Sequence, residues 1–524
     1  MKRFKFLMMI LAIGMMAGVT GCQKNGPDNG IDADFQSYVT LNIFLPSDNA
    51  ATRDGEDSGD YDPGIAAERN VTEVNLYFFD KSDDKYVATV SFAGTAELTS
   101  AGPGADHKTV VTSVKKKTPL IKGHKYNVFA IVNGQAGTAP ASLVGMDIAD
   151  FMKDDKLANQ TFLTSVPGTG LVMASRTTTG VNTSSPFVEL EILANNNEAN
   201  PATLTLDVER TVAKLMLTRG TANVYNVAAD GSTDGTGTTI ATVELQKYIV
   251  VNTMKDGFTF RHTALVGDVF VPTYGYGNIS TGINPIENSY VMDPLTHLKN
   301  AVNLVNPDYT NNTVTWYNNH VSALSAATSF TSASSMPTTT TPAIIGYCNE
   351  NATAKEFQKN GYSTGLVFQA QVTPVAVLGL DGGGNLITIP QPASFYLYNG
   401  KFYEDIDAIN KVYSSGTVPT ASTDKVLKDQ YGIEHFTNGI CYYKYWIKHL
   451  DNLNPPAEPV MGVMEYSVVR NNVYKMKVSG ISGVGTGIID DIDPNEDNEI
   501  AEVFLRMEMT ILPWIVRNNE DIIL

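Results

Sequence analysis

Three cysteines in 524 residues (Cys22, Cys348 and Cys441) are too few to frame a fold with disulfides, and no CxxC spacing exists for zinc or redox chemistry. The seven histidines form no HExxH or HxH pair, and His262, His297, His435 and His449 have no partner at a recognisable spacing. Positive charge is scarce too. Lys and Arg number 37 against 55 Asp and Glu, giving a net charge of −18, and a chain this acidic repels a phosphate backbone. Only 10 of the 37 basic residues are Arg. Charged residues as a whole make up 18%, against 43% hydrophobic, which excludes global disorder. Beyond Phe6–Met16 no stretch approaches the 18 apolar residues that a membrane helix needs. These absences leave a chain with enough apolar residue for a large core and no recognised catalytic, cofactor or metal signature; the expectation is a protein that is not an enzyme.

The first 22 residues read as an address. Lys2, Arg3 and Lys5 precede the apolar stretch, and Val19-Thr20-Gly21-Cys22 resembles a bacterial lipobox. Its small residues admit a signal peptidase, and the Cys22 thiol is the expected lipidation site, where several acyl chains give durable anchoring. Residues 23–34 are rich in Gly, Asn and Asp and read as a tether.

From there the pattern has period two. Val39, Leu41, Ile43 and Leu45 share one face of a half-buried strand that Pro46 ends, and a Gly/Asp/Ser/Ala loop containing Arg53 follows. EVNLYFF (73–79), 86–92, 109–114, 125–133 and 185–193 read as strands, and 142–157 as a helix. After the polar run 195–200, PATLTLDVERTVAKLML (201–217) reads as one strong strand, and a domain boundary is expected at 200/201. Further strands are read at 242–251, 366–377, 472–481, 502–512 and 514–524, with short helices at 294–304, 403–413 and 424–430. The chain is expected to be mainly β, with short helices in its C-terminal part.

Two motifs suggest ligands. Gly480-Ile-Ser-Gly483-Val-Gly485-Thr-Gly487 has glycine spacing, but acids and no helix follow, the wrong setting for phosphate. Asp491, Asp493, Asn495, Asp497, Glu499 and Glu502 have the offsets of a calcium loop, yet Glu496 stands where the sharp turn needs Gly and Pro494 interrupts. The sequence leaves open whether residues 490–502 bind calcium, and whether Cys348 and Cys441 pair.

The C-terminus alternates as the first strand does, with Val503, Leu505, Met507, Met509 and Ile511 on one face. Here the chain resembles the fimbrillins of Bacteroidales, in the short-fimbria (Mfa-like) type of major subunit. The resemblance rests on the lipobox at Cys22, EVNLYFFD (73–80), YNVFAIVNG (126–134), VERTVAKLML (208–217), VVRNNVYKMKVSGISGVG (468–485) and MEMTILPWIVRNNEDIIL (507–524). Residues 220–440 take no part in it.

That resemblance implies two transthyretin-like β-sandwich domains, residues 54–200 and 201–524, behind a signal peptide (1–22) and a propeptide (23–53). It implies a stalk subunit exported as an outer-membrane lipoprotein and cut by an Arg-specific, trypsin-like protease. The strand bearing Val39, Leu41, Ile43 and Leu45 is then displaced, and its groove takes the donor strand of another copy, by β-augmentation at the cell surface. Arg53, the first Arg after the lipobox and set among small residues, is the expected cleavage site, with Arg69 as the alternative. Other partners implied are anchor and tip subunits; neither nucleic acid nor a cofactor is expected. The remaining readings are a tip or accessory adhesin, or a monomeric glycan-binding lipoprotein, although Trp316, Trp446 and Trp514 are too scattered to form an aromatic platform.

Overall fold

The computed structural model describes residues 37–45, 62, 64–101, 109–134, 142–153, 156–157, 162–178, 184–185, 187–220, 224–233, 236–260, 263–265, 272–273, 289–291, 293–294, 315–325, 328–338, 341–352, 358–449, 465–489, 492–498 and 505–513. Period-two alternation dominates, so strands dominate: the protein is mainly β, as the sequence indicates.

The N-terminal half contributes β1 (Ser37–Leu45), β2 (Glu73–Asp80), β3 (Tyr86–Ala93), β4 (Leu98–Ala101), β5 (Thr109–Ser113), β6 (Lys116–Thr118), β7 (Lys125–Val132), β8 (Met173–Thr178), β9 (Phe187–Glu191) and β10 (Ala202–Arg210). Their order is β3-β2-β7-β8-β10-β1-β5-β4, with β9 also on β7 and β6 on β1. Inward residues from β1, β2, β3, β7 and β10 meet in one core, among them Leu41, Leu76, Phe92, Val128 and Leu204. The opposite face carries a second, aromatic cluster of Tyr77, Phe79, Phe129 and Phe151. Phe151 comes from the short helix Ile148–Lys153, the helical part, among the described residues, of the helix expected over 142–157.

The run expected as one strand over 201–217 is two. It breaks at Thr211-Val212 between β10 and β11 (Ala213–Arg219), which belong to different sheets. β10 therefore lies beyond the expected 200/201 boundary yet pairs with β1 and β8, and the crossing between sheets falls at Thr211-Val212.

The C-terminal half adds β12 (Val224–Ala228), β13 (Thr239–Val251), β14 (Ala343–Cys348), β15 (Gly365–Pro374), β16 (Ile440–Trp446), β17 (Asn472–Ile481) and β18 (Leu505–Pro513). Two sheets, β14-β11-β17-β18 and β12-β13-β15-β16, share a core that includes Leu215, Val243, Phe368, Cys441 and Met476. An accessory sheet of 377–380, 386–389, 395–398, 401–403 and 434–436 carries the helices Ile406–Asn410 and Asp424–Tyr431. The latter has Thr423 as N-cap and Gly432 in the left-handed conformation beyond its end. Among the described residues no helix is long and apolar enough to cross a membrane.

Candidate functional site

β1 has neighbours on both edges. It runs parallel to β10, from Val39 opposite Ala202 to Phe44 opposite Asp207. On its other edge it is antiparallel to β5, Asn42 opposite Thr112 and Leu45 opposite Thr109, and to β6, Ser37 opposite Thr118. Val39, Leu41 and Ile43 are fully buried and Leu45 is 2% exposed, while Tyr38, Thr40, Asn42 and Phe44 are half-buried. Ser37 seals one end through Thr118 Oγ1 at 2.7 Å and the Leu120 carbonyl at 3.1 Å. Among the described residues β1 is the strand that joins β10 to β5, so the sheet is continuous only through it. Lifting it out opens a slot two strand spacings wide, about 9.6 Å, bordered by two rows of backbone donors and acceptors.

β18 presents the same alternation in another setting. It is antiparallel to β17, from Leu505 opposite Ile481 to Pro513 opposite Asn472, with a bulge between Val478 and Gly480. Among the described residues β17 is its one strand partner, which leaves β18 at the sheet edge. Leu505 is buried; Met507, Met509 and Ile511 are half-buried against the core, and Glu508 and Thr510 are exposed. Tyr445 Oη reaches Met509 Sδ at 3.7 Å, and Lys477 pairs with Glu508 at 2.8 Å in the open. Such an exposed pair contributes about 0–1 kcal/mol.

Of the other expected site residues, Cys22, Arg53 and Val503 lie outside the described residues. Arg69 ends the 3-10 turn Ala66–Arg69 and donates from Nη1 to the Gly64 carbonyl at 3.1 Å.

The glycine run is a packing device. Thr486 bridges to Tyr442 through both backbone groups, and a Cβ on Gly485 or Gly487 would meet the carbonyls of Tyr442 and His435. In the acidic loop Asp497 is paired with Lys359 at 3.1 Å and Glu496 with Lys444 at 2.7 Å, while Asp493 accepts from the Asn495 N–H at 2.8 Å. Asp491, Glu499 and Glu502 lie outside the described residues. Cys348 and Cys441 are free thiols buried in the C-terminal core, and burial pushes each up to about 12.

Contrary to the expectation of no nucleophile signature, the pentad Gly361-Tyr362-Ser363-Thr364-Gly365 has the GxSxG spacing of a hydrolase elbow, but not its setting. Ser363 is fully buried, its Oγ accepts from Asn498 Nδ2, and strand β15 follows where that elbow needs a helix. His435 meets Asp424 and stacks on Tyr396, and His449 meets the Tyr474 hydroxyl.

Residues 434–520 match the family described as major fimbrial subunit protein type IV, fimbrillin, C-terminal. The match spans β16, β17 and β18, and the resemblance to fimbrillins read from the sequence is borne out. Solved structures similar in extent include a putative cell adhesion protein from Parabacteroides distasonis, 10% identical, covering 91% of this chain and 97% of that one at a TM-score of 0.38. The tip fimbrial protein Mfa3 from Porphyromonas gingivalis is 13% identical, with 91% and 100% covered at 0.33. The fimbrial anchor protein Mfa2 from Porphyromonas gingivalis is 13% identical, with 49% and 79% covered at 0.20.

Proposed function

We propose that this chain is the stalk subunit of a cell-surface fimbrium, made as a Cys22-lipidated precursor of the outer membrane and polymerised by strand exchange. Residues 1–22 are the signal peptide and 23–53 the propeptide, which carries β1. Hydrolysis after Arg53 releases β1, and β18 of another copy fills the slot. Such contacts are head-to-tail and do not close, so they build filaments. The observation that carries this reading is the contrast between β1, hydrogen-bonded on both edges at the seam of its sheet, and β18, of equal length and alternation at a sheet edge. The fimbrillin match across residues 434–520 supports the same class of protein.

Treating the purified precursor with an Arg-specific protease tests the scheme. The expected outcome is a ladder on an unheated denaturing gel from the wild type and monomer alone from Arg53→Ala. Ladders from an Arg53→Ala protein that retains Ser37–Leu45 would refute it.

A further inference from the structure

The segment just after the expected cut is held by a buried charge cluster. Asp62 meets Lys214 Nζ at 3.1 Å and Lys475 Nζ at 3.3 Å. Glu68, fully buried, meets Lys214 at 3.1 Å, accepts from the Tyr347 hydroxyl at 2.6 Å and from the Ile65 N–H at 2.9 Å. The Glu68 carbonyl accepts from Arg210 Nε and Nη2, both at 3.4 Å, and Arg210 is itself buried. These partners come from β10, β11, β14 and β17. Residues 62–68 therefore fasten the last strand before the sheet crossing to the outer side of the C-terminal sheet.

Cleavage after Arg69 would need the chain around the Arg69–Asn70 bond to enter a protease cleft in extended form. Here Ala66–Arg69 is a turn of 3-10 helix. On the near side the Glu68 carbonyl is held by Arg210; on the far side the Asn70 carbonyl accepts from Asn133 Nδ2 at 2.7 Å, and Asn133 Oδ1 accepts from the Thr72 N–H at 2.8 Å. Susceptibility to nicking follows how firmly the backbone is held, and here hydrogen bonds on both sides oppose a cut although Ala66, Ala67 and Asn70 are exposed. A cut would also take away the Asp62 and Glu68 carboxylates from Lys214, whose side chain is 2% exposed.

We propose that Asp62–Asn70 is a clasp that processing leaves in place: the folded chain is cut upstream of Asp62 and protected at Arg69, and the clasp then anchors the new N-terminal segment across both sheets. Between Cys22 and Asp62 the sequence offers one arginine, Arg53. Hydrolysis there adds water across the Arg53–Asp54 bond, leaving a carboxylate on Arg53 and an ammonium on Asp54. This inference rests on the processing reading above and adds what keeps Arg69 from being cut.

The test is digestion of the full-length precursor, its Arg53→Ala and Arg69→Ala variants with an Arg-specific, trypsin-like protease, followed by N-terminal sequencing and intact mass of the large product. The expected product begins at Asp54 from both the wild type and Arg69→Ala. Arg53→Ala should give an Asn70 product at least 100-fold more slowly than the wild type is processed. Asp62→Asn/Glu68→Gln should open Arg69 by at least 10-fold; if that variant does not fold, the Arg69→Ala arm stands without it. A folded product beginning at Asn70, or loss of processing in Arg69→Ala, overturns the clasp and the choice of Arg53, and leaves standing the release of β1 by an Arg-specific protease. A precursor cut at neither arginine overturns the processing reading and, with it, the cut upstream of Asp62.

Discussion

β1 and β18 are both nine residues long and both alternate, yet they do different work for the folded chain. In β1 the apolar face Val39, Leu41, Ile43 and Leu45 is buried and both edges are hydrogen-bonded. In β18 Leu505 alone reaches that burial; Met507, Met509 and Ile511 are half-covered, and one edge is paired. Alternation decides which face turns inward. How much a strand stabilises is decided by its neighbours, which alternation does not record. Full burial of the four β1 residues amounts to about 6–12 kcal/mol gross.

Deleting each strand should break that symmetry of pattern most forcefully. Loss of Ser37–Leu45 removes a gross term comparable to the whole stability of a domain, about 5–15 kcal/mol. The amides of β5 are expected to lose hydrogen-exchange protection, because β1 is what ties β5 to the rest of its sheet, while those of β15 keep theirs. Loss of Leu505–Pro513 should leave β5 protected. Equal damage to β5 from the two deletions would end the distinction.

Lys214 offers the next largest effect. It sits on β11 but holds carboxylates from the segment that follows β1, so it couples the two regions being compared. Removing one partner from a buried ion cluster costs about 3–5 kcal/mol, and Lys214→Ala should lose that much in urea unfolding of the precursor. A loss under about 1 kcal/mol would mean that the regions are tied elsewhere, with Arg470 between Glu350 at 2.8 Å and Glu209 of β10 at 4.0 Å the next place to look.

The strands and their inward faces were legible in the sequence because alternation is a local signal. The break at Thr211-Val212 was not, since strand-forming residues continue on both sides and propensity does not say which sheet a strand joins. The clasp was invisible for a different reason. Its members run from Asp62 to Lys475, and a charged residue read singly is taken as solvated. The calcium-like spacing shows the same limit: Asp497 is met by Lys359, and Glu496, at the turn position, by Lys444, partners from elsewhere in the chain that the spacing does not record.

Acid should weaken the clasp before it affects the apolar seam of β1. Burial pushes the Asp62 carboxyl up, but Lys214, the Gly64 N–H and Lys475 outweigh it and hold the group below its ordinary value. A carboxyl lowered in the folded state contributes stability that is present above its unfolded pKa, about 3.9, and is lost as pH falls through the folded value. The stability difference between wild type and Asp62→Asn should therefore be constant near neutrality and shrink below about pH 4. A difference unchanged down to pH 2 would show that Asp62 acts by shape, not by charge.

The smallest effect in the monomer is expected at Met509, and it sharpens the comparison most. A fully buried Met→Ala substitution costs about 2–5 kcal/mol; at a half-covered edge position about 1 kcal/mol is the expectation. If β18 of one copy occupies the slot of β1 in another, Met509 moves from the half-covered setting into one where Leu41 and Ile43 are fully buried. The same Met509→Ala change should then cost about 1 kcal/mol in monomer melting and about 2–5 kcal/mol per junction in the polymer, read from the temperature at which unheated ladders collapse. The ratio of the two costs isolates the change of neighbours, because the side chain and its strand pattern stay the same. Equal costs in monomer and polymer would mean that Met509 meets no deeper environment on assembly, and that a strand other than β18 fills the slot.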